Sequence, residues 1–304
     1  MRTVPGSVLP AAPPDRDGGA RDRPVVLVLL AAVFVLAVVV TTARNPDGVV
    51  VSADPGYAPV PVPLLLVPTV LAVVLTLLLP RGAGDAQAVV RRPRALRGET
   101  AALLAVVIAF PLLVPVLPRP EDYVLLKAVL FLLVPCLGLW LVARRRGASV
   151  AIRRPGVRWW VPVTPALLLG VLSSIGPFSG GVPASWPPLV PLLIAATATA
   201  ITAGVGEEVV YRRLLQTRLE AVTGPWSGLL IAALLFGLMH AASHGGGALW
   251  EDALQALALQ GTTGIALGLL WARWRRLWAC VLAHILLNGA TVLLHVVGTV
   301  ASAL

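Results

Sequence analysis

The sequence predicts an all-α fold, a polytopic transmembrane helical bundle of about nine spans with its N-terminus inside. Three observations predict it. First, 58% of the 304 residues are hydrophobic and 12% are charged, whereas a soluble domain holds about 45–50% apolar and about 25% charged residues; mean hydropathy is +0.87. Second, the apolar residues come in runs of about 20, the length at which a helix crosses a bilayer core. Third, the arginines are confined almost entirely to alternate loops.

In chain order, residues 1–23 are rich in Pro, Gly, Arg and Asp and read as a disordered cytosolic tail. The run 24–43 is too long for the apolar core of a signal peptide and reads as an uncleaved anchor. Further runs follow at 60–79, 100–117, 123–142, 160–176, 189–210, 226–242, 251–271 and 277–301. One re-entrant run would reduce the spans to eight. Pro111, Pro115, Pro162 and Pro165 are tolerable inside spans whose neighbours satisfy the freed carbonyls. The Pro/Gly-rich 176–188 reads as an outer loop.

The net charge of +10 suggests nucleic acid in a soluble chain, but here it is distributed as the positive-inside rule requires. Twenty-one arginines lie in the tail, 81–97, 144–158, 212–218 and 273–276, all on one side of a nine-span chain. Arg44 and Arg119 lie on the other. The basic residues therefore set topology, and no nucleic-acid partner is expected. Trp140, Trp159, Trp160, Trp226, Trp271, Trp274 and Trp278 read as inner-boundary anchors, Trp186 and Trp250 as outer ones. Cys136 and Cys280 fall in apolar runs outside any metal-ligand pattern and read as buried thiols.

The chain divides near residue 150. Basic side chains are almost all arginine, Lys127 being the sole lysine; spans in 24–150 carry almost no polar side chains and read as accessory packing helices. The section 155–304 holds all four histidines and the intramembrane carboxylates. Its centre is Gly204-Val205-Gly206-Glu207-Glu208-Val209-Val210-Tyr211-Arg212. A charge at bilayer depth costs about 2.5–3.5 kcal/mol and persists facing a bundle interior or a wet cavity. Glu208 and Arg212 are i,i+4 neighbours on one helix face, so Arg212 pins Glu208 and leaves Glu207 as the carboxylate for base chemistry. The same charges also suit a hydrated helix end that marks the membrane boundary.

Two more pairs share a helical face, Phe236 with His240 and His284 with Asn288. Taken alone, each histidine also suits a simple cross-helix hydrogen bond, the reading preferred for His244 and His295. An antiparallel hairpin turning at Thr223-Gly224-Pro225 brings Glu207 level with His240. Its helix then runs beyond the membrane edge with Arg213, Arg218 and Glu220, which suits a cytosolic vestibule. His284 and Asn288 match that level only if the loop near Arg276 sits deeper. Gly204 and Gly206 would permit close helix approach.

Glu-Glu-x-x-x-Arg, Phe-x-x-x-His and His-x-x-x-Asn, in this order on separate spans, resemble the CAAX protease and bacteriocin-processing family of intramembrane endopeptidases. The resemblance covers roughly residues 155–300. It implies that Glu207 activates water, that Glu208 and Arg212 form a bracing ion pair, and that His240 orients the water or a metal above Phe236. His284 and Asn288 would then stabilise the oxyanion. No His-Glu-x-x-His helix is present, so no cofactor is required by a local signature; zinc on Glu207, His240 and His284 is left open. The implied partners are the lipid bilayer and a membrane-associated protein or peptide substrate, in a bacterial plasma membrane. The competing class is a non-proteolytic scaffold or immunity-type protein that uses the polar chamber to hold a partner.

Overall fold

The structure is a computed structural model that describes residues 20–51, 56–117, 120–241 and 248–303. Every apolar run of the sequence forms a helix there. They are α1 Pro24–Arg44, α2 Val62–Leu78, α3 Pro93–Val116, α4 Asp122–Arg145, α5 Trp160–Leu172, α6 Leu189–Thr223, α7 Pro225–Leu238, α8 Leu249–Trp274 and α9 Leu277–Ser302. Six are long and apolar enough to cross a membrane, while α2, α5 and α7 are shorter apolar helices. The chain is a multi-pass membrane protein with an all-α bundle. A small antiparallel ribbon of β1 (Ala88–Val90) and β2 (Val150–Ile152) ties two arginine-rich loops together.

Helix α6 organises the packing. At about 1.5 Å per residue its 35 residues reach roughly 50 Å, well beyond a hydrocarbon core of about 30 Å. It is wound wide, with i→i+5 hydrogen bonding, over Ala200–Glu207 and Val209–Gln216. Similar turns occur at Ala128–Leu133 in α4 and Leu257–Gly261 in α8. Such turns reorient side chains inside a helix and recur at functional sites. A run of edge-packed or tilted rings leads from α3 to α7: Phe110–Phe131 at 4.8 Å, Phe131–Tyr211 at 5.8 Å and Tyr211–Phe236 at 5.3 Å between centroids.

Several sequence expectations change in the fold. Helix α6 does continue past Val210, but Arg218 and Glu220 are buried rather than hydrated. Arg218 pairs with Glu99 at 2.8 Å and Arg275 with Glu220 at 2.5 Å. A charge counted as a topology marker can thus sit inside the protein when a carboxylate waits on a neighbouring helix. Trp271 and Trp274 are core residues, not boundary anchors, because their indole N–H groups find Thr217 Oγ1 (3.1 Å) and Pro80 O (2.9 Å). Cys280 is buried, but Cys136 is exposed on the outward side of α4. His295 makes its cross-segment contact by stacking on Trp186, 4.3 Å between centroids.

Residues 1–19, most of the expected tail, lie outside the described residues, as does His244. Asp22, at the end of that tail, is ordered by a task. Its carboxylate accepts hydrogen bonds from the backbone N–H of Ser227 (2.8 Å) and Trp226 (3.2 Å), capping the N-terminus of α7.

Candidate active site

Glu207, Glu208, Arg212 and His284 converge in one buried cluster. Both carboxylates and Arg212 are fully buried, and His284 is 5% exposed. Arg212 Nε lies 3.0 Å from Glu208 Oε2, the i,i+4 pair the spacing predicts. From α9, His284 Nδ1 donates to Glu208 Oε1 at 2.8 Å. An ionised carboxylate only accepts, so this bond fixes the Nδ1 proton and turns Nε2 toward Glu207 Oε2, 3.8 Å away. The two acids thus divide the work: Glu208 holds Arg212 and His284 in place, and Glu207 faces the free edge of the same imidazole.

Close helix approach makes this cluster geometrically accessible. A Cβ on Gly204 would stand 2.5 Å from Ile285 Cγ1, so only glycine lets α6 reach the α9 segment that carries His284. A Cβ on Gly206 would meet Leu132 at 3.3 Å, on the α4 side. The glycines bracketing Val205 therefore open two directions at once, toward the histidine helix and toward α4. The loop before α9 packs against the protein: Arg275 is 4% exposed, and its backbone is left-handed (φ 53°).

His240 lies in the turn just after α7 and is half-buried. Its Nδ1 donates to Phe236 O at 2.9 Å, because a carbonyl accepts only, which leaves Nε2 free. Phe236 is a shared platform, with ring centroids 5.1 Å from His240 and 5.9 Å from His284, and the Arg212 guanidinium 4.6 Å over its face. Asn288, one turn beyond His284, is exposed and makes no hydrogen bond to the carboxylates among the described residues. His240, His284 and Asn288 instead line a chamber of about 1090 Å³.

One residue of this site was missed. Lys127 of α4 places Nζ 2.5 Å from Glu207 Oε1, 6% exposed, with its ammonium 4.7 Å from the Tyr123 ring. The signal was present: a sole lysine near the start of an apolar span needs a buried partner, and an unclaimed carboxylate is the natural one. Section 24–150 therefore contributes to the charge balance of the site as well as to packing.

Zinc is tested by the same geometry. Among the described residues no group of three or more His, Cys, Asp and Glu is gathered as a metal would need. Both histidines have Nδ1 held and Nε2 free, as metal ligands do. However, the Lys127 ammonium already occupies the cation's place on Glu207. The residues in this arrangement do not fit a zinc ion.

Residues 189–290 match the family model described as Type II CAAX prenyl endopeptidase Rce1-like. The matched segment contains Glu207, Glu208, Arg212, Phe236, His240, His284 and Asn288, and excludes Lys127. The chain is also similar to the Bacillus subtilis (strain 168) protein named "Putative membrane peptidase YdiL", 27% identical over 106 residues. That alignment covers 35% of this chain and 38% of the relative. No solved structure matches.

Proposed function

We propose that this chain is an intramembrane endopeptidase that hydrolyses a peptide bond in a membrane-associated protein or peptide. The observation that carries the reading is the convergence of two carboxylates, an arginine and His284 beside a chamber floored by His240, within the segment that matches a peptidase family. The named peptidase relative supports the same class. Peptide hydrolysis needs a base, a held water and donors for a developing oxyanion. Glu207 is the base, with the free Nε2 of His240 aligning the water. Asn288 supplies an amide N–H to the oxyanion, and His284 supplies a second donor when Nε2 carries a proton. Glu208 and Arg212 hold His284 and Phe236 in position and do not touch the substrate.

The second reading, a non-catalytic binding chamber, is favoured by one observation. Glu207 is already neutralised by Lys127 at 2.5 Å. Purified protein in liposomes, given a pool of apolar peptides, separates the two. Glu207→Gln should lower new-terminus formation by at least about 100-fold, the usual scale for a lost general base. Unchanged cleavage in that variant removes Glu207 from the mechanism, and no cleavage by the wild type favours the binding chamber.

A further inference from the structure

The chamber has a direction. On α9 it is lined from His284 outward to Val296, and on α6 from Ile201 outward to Leu192. On α8 the lining lies between Leu259 and Leu267, in the middle of the helix, and stops short of Trp271 and the arginines beyond it. At its far end it reaches Tyr57, Phe178 and Trp186. The α6 and α9 walls run away from the loops 81–97, 144–158 and 273–276, which carry the arginines, and the α8 wall does not reach them.

The opposite route is closed. From Glu207 toward the arginine-rich face, α6 is almost continuously buried as far as Glu220. Gln216 Nε2 donates to Gly268 O and to Glu220 Oε1, both at 2.8 Å. Trp271, Trp274 and the Arg275–Glu220 pair complete the plug. The expected vestibule on the arginine side is reduced to a separate pocket of about 240 Å³ beside Arg213, Thr217 and Arg218, whose lining includes neither Glu207 nor the histidines.

Composition of the lining limits the occupant. Apart from His240 and His284 it holds no ionisable side chain other than Tyr57 among the described residues. Hydroxyls and amides such as Ser174, Thr263, Gln260 and Asn288 punctuate an otherwise apolar wall. An extended uncharged peptide satisfies both surfaces, with backbone groups on the polar side chains and apolar side chains on the wall.

We propose that the chamber receives its peptide from the arginine-poor, exported side of the membrane, as an uncharged stretch of chain. The sidedness rests on the cavity and the positive-inside rule alone; the peptide as occupant rests on the peptidase reading.

Single cysteines introduced at Ser174 and Thr263, in a chain with Cys136→Ala and Cys280→Ala, test the sidedness with a membrane-impermeant maleimide. A cysteine at the exposed Arg154 reports the arginine-rich face. Ser174→Cys and Thr263→Cys should label in intact cells, and Arg154→Cys only in inverted vesicles. Chamber cysteines that label only from the side that labels Arg154→Cys overturn the proposal, as does an Arg154→Cys that labels in intact cells. Two chamber positions guard against a single misfolded variant. For the occupant, an uncharged apolar peptide added outside should slow Thr263→Cys labelling several-fold, and the same peptide with a central Asp and Lys should not. Equal protection by both peptides overturns the uncharged-stretch claim. Labelling needs no turnover, so a failure of catalysis leaves the sidedness result standing.

Discussion

Lys127→Met should be the most destabilising single change in the section 24–150, because it strands a fully buried Glu207. At 2.5 Å and an effective dielectric of about 20, the gross attraction of the pair is about 7 kcal/mol. Desolvation of both ions cancels much of it, so the pair as a whole contributes little. Removing one partner is different, since it leaves a buried charge without compensation at a cost of about 3–5 kcal/mol. For a chain of this size that corresponds to a fall in Tm on the order of 5–10 °C. The double variant Lys127→Met/Glu207→Gln removes both charges and should recover most of the loss. Thermal unfolding in detergent, followed by tryptophan fluorescence, gives all four corners of the cycle. If the three variants lose stability additively, Lys127 and Glu207 are not coupled and the assignment of the lysine to the site is wrong.

Three further outcomes follow from the same geometry. Gly204→Leu should abolish activity by driving α9 away from α6, whereas Gly206→Ala, facing a flexible Leu132 side chain at 3.3 Å, should retain most of it; activity in liposomes compares them. Arg275→Gly relieves a left-handed backbone by about 1–2 kcal/mol but takes the only cation from Glu220 among the described ion pairs, leaving it the Gln216 amide, at about 3–5 kcal/mol, so the melting temperature should fall; a rise shows that the Glu220 pair is not worth its desolvation. Phe236→Leu removes the platform under both histidines and the face beneath Arg212. It should lower kcat more than KM while the melting temperature changes less than for Lys127→Met.

What the sequence made legible was whatever repeats locally along a helix. Apolar run length located every helix of the bundle, and i,i+4 spacing identified the Glu208–Arg212 pair, because both are properties of neighbouring residues. Contacts between helices were less legible. Arg218 and Arg275 look like loop charges until Glu99 and Glu220 are found opposite them, and hydropathy alone cannot supply that partner. Trp271 and Trp274 resemble boundary anchors for the same reason. The direction of the chamber was hidden because it depends on which ends of five separate elements are splayed and which are packed. Lys127 was the exception: it was visible as a costly charge in an apolar run, and the question of its partner would have led to Glu207.

The most direct test of the central claim is terminal-peptide mass spectrometry on membranes from cells carrying the wild type, Glu207→Gln, or the charge-free Lys127→Met/Glu207→Gln protein. The double variant controls for folding, since it lacks the base without stranding a lysine. The peptidase account predicts that the same precursor segments accumulate uncleaved in both variants, with their new termini present only beside the wild type. Identical termini in all three, together with a phenotype on deletion of the whole chain, would contradict hydrolysis and leave the chamber as a binding site.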